Sequence, residues 1–232
     1  AEDVDLLPLA ADNPALPELR VETPRVKVWH RQADQFRLPK GALYLSFRSP
    51  LVGATPQQVV AASVYTRMVS DYLNEYTYQA LLAGVGFSYY RHAQGLGLRI
   101  SGYNDKQLRL LEDLLRDMTD QRFDAERFAR IRREMVLELQ NTIARRPSSQ
   151  LLDRLRQAVG SGEYADAELI DALEALDLAA LQSWREQFWA SARVEALLYG
   201  NHAADDAARV AGLVDIVLTG RSGDPALAPE VI

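Results

Sequence analysis

The stretch from residue 56 to residue 84 constrains the fold most, because it predicts a single long helix. Pro56 suits the first turn of a helix, and Gly84 can adopt the left-handed conformation that ends one. Tyrosine and aliphatic side chains recur on one stripe of this helix, at 100° per residue: Tyr65, Val69, Tyr72, Leu73, Tyr76 and Ala80. We expect this stripe to be a buried packing face rather than an active site, with the tyrosine hydroxyls reaching water or a carbonyl.

The periodicity changes after this helix, and alternation then indicates strands. FSYYRHA (87–93) and GLGLRISGY (95–103) predict an antiparallel hairpin whose first strand begins near Gly86. Before the helix, VKVWHRQ (26–32) and GALYLSFRS (41–49) alternate in the same way, and ARVEALLYG (192–200) predicts a late strand.

Helical spacing of apolar residues fills most of the remaining chain. One helix is predicted to begin at Asn104 or Asp105 and a second near Asp124. Further helices are expected at 148–160, 166–175, 178–188 with Asp177 as its cap, and 203–218. The order of elements predicts an α+β fold, a mainly antiparallel sheet with helices packed on one face.

Prolines and composition divide the chain into three parts. Pro8, Pro14, Pro17 and Pro24 predict that residues 1–24 form an extended interdomain linker without a regular element. Residues 25–220 are expected to form a single α+β domain, and residues 221–232 a tail that leads to a following domain.

Composition excludes several classes of function. The chain has no cysteine, so disulfides, cysteine nucleophiles and thiolate metal sites are excluded. Its formal net charge of -6 opposes binding to nucleic acid or anionic membranes, and no apolar run approaches the ~20 residues of a spanning helix. The acidic start, AEDVDLLPLAADNP, does not have the order of a signal peptide, so we expect a mature soluble chain or a piece of one. Cytoplasm and periplasm are both compatible with this composition.

The three histidines do not form a zinc-peptidase motif. Neither HxxEH nor HExxH occurs, although one-turn spacing of two imidazoles beside a carboxylate is what such a helix needs. The nearest approach is His202, followed by Asp205 and Asp206, which we interpret as the start of a helix. His30 and His92 lie in predicted strands, where a hydrogen-bonded structural role is expected.

Other candidate groups also lack companion residues. The GxSxG elbow is absent, which leaves Ser70 and Ser101 without a predicted role. Glycine pairs at 84/86 and 95/97 do not complete GxGxxG and indicate turn and hairpin geometry. Three carboxylate pairs are predicted to be solvated at helix starts or on exposed faces: Glu112/Asp113, Asp124/Glu126 and Asp166/Glu168.

The arginine-rich run RFARIRR (127–133) presents Arg127, Arg130 and Arg133 opposite an apolar stripe. It could dock an acidic partner or form an ordinary charged face, and we favour the charged face. No catalytic, cofactor-binding or metal-binding residue is therefore assigned in this chain.

A series of motifs, in order along the chain, resembles one known family. The motifs are DQFRLPK (34–40), SFRSP (46–50), LNEYTYQALLAG (73–84), SGYNDK (101–106), RFARIR (127–132) and EALLYGN (195–201). Together they resemble the insulinase/pitrilysin family of zinc metalloendopeptidases, which carry the inverted HxxEH motif. The similarity runs from about residue 19 to 218 and is greatest to the middle, third of the four homologous domains.

This resemblance implies a place within a clamshell protease, whose two halves enclose a peptide chamber. In such enzymes the first domain carries HxxEH and zinc, whereas the corresponding helix here, VYTRMVSDY (64–72), has no histidine. The resemblance thus implies a non-catalytic, chamber-forming domain without zinc of its own, partnered by the other domains and by peptide substrates. Two alternatives stay open: a stand-alone inactive scaffold subunit of the same fold and, more remotely, an enzyme using Asp205 and Asp206.

Overall fold

The computed structural model describes residues 5–11, 13–120, 123–143 and 164–219. Its strands are β1 (Glu18–Glu22), β2 (Val26–Gln32), β3 (Lys40–Arg48), β4 (Val85–His92), β5 (Gly95–Tyr103) and β6 (Arg193–Gly200). They form one six-stranded sheet in the order β1-β2-β6-β3-β5-β4. β2 and β6 are parallel, and all other neighbours are antiparallel, so the prediction of a mainly antiparallel sheet is confirmed.

The described helices follow the predicted spans closely. They are α1 (Pro56–Leu82), α2 (Gln107–Asp120), α3 (Ala125–Ile143), α4 (Asp166–Ala175), α5 (Leu178–Ser191) and α6 (Asp206–Thr219), with a short 3-10 turn at Pro50–Val52. The predicted helix at 148–160 lies outside the described residues. Asp177 accepts a hydrogen bond from the N–H of Ala180 at 2.7 Å, which confirms it as the cap of α5.

The core lies between the described helices and one face of the sheet. Strand residues that point toward the helices are buried, among them Val28, Leu45, Phe47, Leu98 and Leu198. Their neighbours in sequence point to the opposite face, as the period of two in a strand requires. The prediction of an α+β fold with helices on one face is thereby confirmed.

Residues 18–22 correct the prediction for the amino-terminal segment. They form β1, which pairs antiparallel with β2 through Leu19 opposite Trp29 and Glu22 opposite Lys27. The expectation that residues 1–24 contain no regular element is therefore wrong for this stretch. Pro17 and Pro24 flank the strand rather than interrupt it, so every residue of β1 keeps its N–H for pairing.

Helix α1 begins and ends as its sequence predicts, but its tyrosine stripe is only partly buried. Gly84 has φ +69°, and its N–H donates to the carbonyl of Leu81 at 2.9 Å. Tyr65 is fully buried, whereas Tyr76 is half-buried and Tyr72 is exposed. The prediction is wrong for Tyr72, whose ring lies at the edge of the stripe beneath the guanidinium of Arg127, 5.7 Å from it.

Arg25, in the turn between β1 and β2, joins two helix ends. Its guanidinium donates to the carbonyls of Trp189 at 2.8 Å, Ala192 at 3.1 and 3.2 Å, and Leu218 at 3.1 Å. These carbonyls belong to the ends of α5 and α6, where the last carbonyls of a helix lack partners within it. The side chain thus fixes the β1–β2 turn against both helices.

Across the described ranges, none of the helices combines the length and apolar character needed to cross a membrane.

Candidate functional site

In the family that the sequence resembles, zinc is bound by histidines of an HxxEH helix, to which α1 would correspond. All three histidines of this chain lie outside α1. His30 lies on β2, His92 at the end of β4, and His202 just after β6. Among the residues that the structure describes, no group of three histidine, aspartate or glutamate side chains is arranged to hold a metal ion.

His202 and His30 are neighbours, and the Nε2 atom of each ring has a hydrogen-bond partner. His30 Nε2 lies 2.8 Å from the carbonyl oxygen of His202. His202 Nε2 lies 3.1 Å from Oε1 of Gln107, whose amide nitrogen donates to the carbonyls of Gly41 and Gly102. These buried side chains fasten the turn after β6 to the sheet and to the start of α2, and the donor set does not fit zinc.

Asp206 sits on the other side of His202, in the first turn of α6. Its Oδ2 lies 3.9 Å from His202 Nδ1 and accepts a hydrogen bond from the N–H of Ala203 at 3.1 Å. His202 and this N–H hold the pKa of Asp206 below its ordinary value. Asp205 is exposed. The predicted helix start is thus confirmed, and the two carboxylates do not face each other across a pocket.

His92 makes a separate contact on the opposite face of the sheet. Its Nε2 lies 3.1 Å from Ser46 Oγ, and its Nδ1 accepts from the N–H of Gln94 at 3.3 Å. Burial lowers the pKa of His92, and the nearby guanidinium groups of Arg48 and Arg91 lower it further. The hydrogen-bonded role predicted for His30 and His92 is confirmed for both.

The part of α1 that would correspond to a metal-binding helix is filled by an aromatic cluster. The hydroxyl of Tyr65 donates to the carbonyl of Met118 at 2.7 Å and accepts from Trp189 Nε1 at 2.9 Å. Phe123, Trp184 and Phe188 surround the ring with centroids 5.6 to 6.5 Å away. Because these rings are closely packed, this part of α1 contributes to the stability of the core and has no space for a substrate.

Carboxylates and arginines on the helices are paired with one another. Asp71 of α1 lies 3.3 Å from Nε of Arg127 and 3.1 Å from Nη2 of Arg130, both on α3. Arg130 also lies 3.2 Å from Glu134, and Arg133 is exposed. Two members of the arginine run therefore tie α3 to α1, which agrees with a structural charged face.

The predicted carboxylate pairs lie at helix starts or on exposed helix sides. Asp124 accepts hydrogen bonds from the main chain two and three residues further on, and Glu168 accepts from the N–H of Ala165 at 3.0 Å. Asp113 pairs with Arg116 at 2.8 Å. None of these contacts brings two carboxylates to one site.

A cavity of about 540 Å³ lies between α1, α3 and α4. Aliphatic side chains such as Val59, Leu139 and Leu173 make up much of its lining. Arg67 and Glu138, which form a two-bond ion pair, also line it, as does Arg91, whose pKa is lowered by burial. This lining suits an apolar group and has no arrangement for general acid and base catalysis.

The face of the sheet away from the helices is the candidate functional surface, and we name it the open sheet face. None of the described helices packs on it. Successive strands place side chains opposite one another in a row that crosses the sheet: Leu19, Trp29, Leu197, Tyr44, Arg99 and Ser88. Side chains in such rows touch across the strands, so the row is a continuous surface.

Aromatic rings and cations alternate on the open sheet face. Its larger rings are 36% to 45% exposed: Trp29, Tyr44, Tyr90, Tyr103 and Tyr199. The guanidinium of Arg99 lies 5.3 Å above the ring of Tyr44, and Lys40 lies 5.3 Å above Tyr103.

Gly97 provides room for one of these rings. A Cβ at Gly97 would lie 2.5 Å from the ring of Tyr90, so the glycine lets this ring lie flat on β5. The predicted hairpin role of the 95/97 pair is thereby confirmed. Aromatic rings and arginine are the side chains enriched at protein–protein interfaces.

Sequence reasoning identified the alternation of each strand but missed this surface. Alternation shows that Trp29 and Tyr44 lie on one face of their own strands, away from Val28 and Leu45. That they become neighbours depends on β6 lying between β2 and β3, which no local pattern indicates. The sequence did contain one indication of this surface: aromatic residues such as Trp29 and Tyr44 occupy strand positions where alternation predicts polar, outward-facing side chains.

Comparisons with known proteins agree with this fold. A family model described as the middle or third domain of peptidase M16 matches residues 1–172. Human insulin-degrading enzyme is 31% identical over 226 residues, which cover 97% of this chain and 22% of that protein. The chain thus spans less than a quarter of the length of this relative.

Solved structures give the same result. The crystal structure of pitrilysin superposes with a TM-score of 0.83 at 19% identity, covering 92% of this chain and 23% of pitrilysin. The peptidase M16 inactive domain from Pseudomonas fluorescens superposes with a TM-score of 0.67 at 18% identity, covering 92% of this chain and 53% of that one. The chain therefore belongs to the peptidase M16, or insulinase, family as its middle or third domain.

Proposed function

We propose that this chain is a non-catalytic domain of a zinc-dependent endopeptidase and that it forms part of the wall of the peptide chamber. In this proposal the zinc and the catalytic residues belong to another domain of the same protease. The open sheet face contacts the peptide substrate while the helices face outward or toward neighbouring domains.

The open sheet face is the observation that carries this proposal. A six-stranded sheet with helices on one side leaves a broad surface that carries half-exposed rings such as Trp29, Tyr44 and Tyr90. Rings interleaved with arginine can contact many extended peptides, because they offer area and charge without requiring one sequence. The chain corresponds to 22% of the length of human insulin-degrading enzyme. In a parent protease of similar length, other domains could enclose this surface.

The α1 helix supports the non-catalytic part of the proposal. Its central side chains, including Tyr65 and Val69, are fully buried in the core. Replacing them with metal ligands would place polar groups among packed rings, at a cost of about 2 to 7 kcal/mol for each unpaired group. The helix is thus suited to holding the sheet in place.

Metal content and peptide cleavage test the proposal. The purified chain should contain no stoichiometric zinc by mass spectrometry and should leave a quenched fluorogenic peptide intact, while the parent protease should bind zinc and cleave it. One tightly bound zinc in the isolated chain, with proteolysis lost on chelation, would refute the proposal. A parent without proteolysis would also refute it and would favour a stand-alone scaffold of the same fold.

Substitutions on the open sheet face test its contact with peptides. In the parent protease, Trp29→Ala together with Tyr44→Ala should raise KM several-fold and leave kcat within about twofold, because the lost contacts serve binding rather than chemistry. Tyr78→Ala is the matched control, since Tyr78 is 69% exposed on α1. Equal KM values for the double variant and the control would show that peptides do not contact this face.

A further inference from the structure

Asn201 holds the main chain of the amino-terminal segment through both ends of its side-chain amide. Its Oδ1 accepts from the N–H of Leu7 at 2.9 Å, and its Nδ2 donates to the carbonyl of Asp5 at 2.9 Å. Nδ2 also donates to Oδ1 of Asn104 at 2.9 Å, which fixes the orientation of the amide. A side-chain amide that pairs with the carbonyl of one residue and the N–H two residues later acts like a neighbouring strand.

Gln32 repeats this arrangement on the next residues of the segment. Its Oε1 accepts from the N–H of Ala10 at 2.9 Å, and its Nε2 donates to the carbonyl of Pro8 at 3.1 Å. Gln32 and Asn201 are 8% and 6% exposed, and buried amides of this kind require partners. The amino-terminal segment supplies these partners.

The topology of the sheet places the two amides side by side. Gln32 is the last residue of β2, where it pairs in parallel register with Gly200, and Asn201 follows directly. Two arginines extend the same pattern. Arg37 donates to the carbonyl of Leu7 at 2.7 Å, and Arg31 donates to the carbonyl of Pro14 at 3.0 Å.

The side chains of the segment contribute little to this contact. Leu6 and Leu9 are 47% and 40% exposed, Asp5, Pro8 and Ala10 are also exposed, and only Leu7 is half-buried. We call the surface formed by Gln32, Arg37 and Asn201 the groove. It contacts carbonyl and N–H groups at fixed spacing, which every extended peptide offers, rather than particular side chains.

We propose that Gln32 and Asn201 form a binding site for the main chain of an extended peptide, whose resident ligand is residues 5–10 of this chain. The segment is an exchangeable ligand held in cis by its covalent connection, which gives it a high effective concentration. When the connection is cut, the groove accepts the same main chain in trans. The site does not depend on the role proposed above for the open sheet face.

Exchange of a labelled peptide tests the proposal on the full chain. A recognition sequence for a site-specific protease is inserted between Ala15 and Leu16, which are both exposed, and the cut protein is diluted so that the released segment dissociates. A fluorescent synthetic peptide of residues 1–15 should then bind saturably, as measured by anisotropy, while the uncut protein should not bind it.

Peptide variants separate recognition of the main chain from recognition of side chains. N-methylation at Leu7 and Ala10 removes the two donated N–H groups and should weaken binding at least tenfold, whereas serine at positions 6 and 9 should change it less than threefold. These measurements use one unaltered cut protein, so they do not depend on whether a variant folds. Equal binding of the N-methylated peptide, or no saturable binding to the cut protein, would overturn the proposal.

Protein variants test the two amides directly. Gln32→Glu and Asn201→Asp keep the acceptor oxygens but lose the donated N–H groups, and each should weaken peptide binding about tenfold. Gln187→Ala is the matched control, because this glutamine is exposed on α5 and its amide nitrogen donates to Ser183 Oγ at 3.0 Å within the same helix. A loss of binding in the control equal to that in the two variants would contradict the assignment.

Discussion

Replacing Arg25 with methionine should lower the free energy of unfolding by about 3 kcal/mol, at a net contribution of about 1 kcal/mol for each carbonyl acceptor. The guanidinium serves three acceptors: the carbonyls of Trp189, Ala192 and Leu218, at 2.8 to 3.2 Å. Methionine keeps much of the apolar stem, so the change removes the hydrogen bonds and the charge but little packing.

The charge of Arg25 matters because its acceptors lie at the ends of two helices. The carbonyl end of a helix carries partial negative charge, which a cation stabilises by about 0.3 to 1 kcal/mol. Burial lowers the pKa of Arg25, while Asp215 raises it, and arginine stays protonated at any ordinary pH. The loss caused by the substitution should therefore be nearly the same from about pH 5 to about pH 9.

Urea unfolding followed by circular dichroism and tryptophan fluorescence measures the effect. The corresponding fall in Tm is about 6 to 12 °C for a domain of this size. The Tm of Arg25→Lys should lie between that of the unaltered protein and that of Arg25→Met, since one ammonium group cannot reach all of the carbonyls. Arg133→Met is the control on an exposed arginine, with an expected change within about 0.5 kcal/mol. If Arg25→Met is as stable as this control, the joining role of Arg25 is refuted.

Three further changes test other parts of the structure by the same unfolding assay. Tyr65→Phe leaves the N–H of Trp189 without its acceptor and should cost about 1 to 3 kcal/mol; no measurable change would contradict the contact. His92 has a lowered pKa, so the unfolded chain takes up the proton first, and stability should fall as the pH drops below about 6.5, less so in His92→Gln. Equal pH dependence in both proteins would argue against this. Gly84→Ala forces a Cβ to within 2.5 Å of the ring of Tyr103 at φ +69° and should cost about 1 to 3 kcal/mol, whereas a neutral effect would show that the turn can relax.

Local patterns in the sequence predict most of the elements and few of their neighbours. Helix α1 is evident because Pro56 and Gly84 act within one turn of its ends. β1 was not predicted, because its flanking prolines resemble those of a linker. Its pairing with β2 identifies it as a strand. The pairing of β2 with β6 joins residues 26–32 to 193–200. Pairing over this sequence distance is determined by the tertiary packing of the whole chain and not by local sequence.

The sequence also did not indicate which polar side chains join distant parts of the structure. Arg25, Gln32 and Asn201 are single polar side chains whose partners are main-chain groups distant in sequence. Neither composition nor periodicity records a main-chain acceptor, so no pattern could assign these roles. The absence of HxxEH was readable directly, since a motif of fixed spacing needs no tertiary information.

The central position of β6 determines when this domain can fold during synthesis. β6 fills the space between β2 and β3, yet roughly 140 residues separate it from β3 along the chain. At about 5 to 20 residues per second, a ribosome needs on the order of ten seconds to make them, and for that time two strands have unpaired edges. Such edges invite pairing with other chains. The nascent domain therefore depends on protection from aggregation until its last strand has emerged.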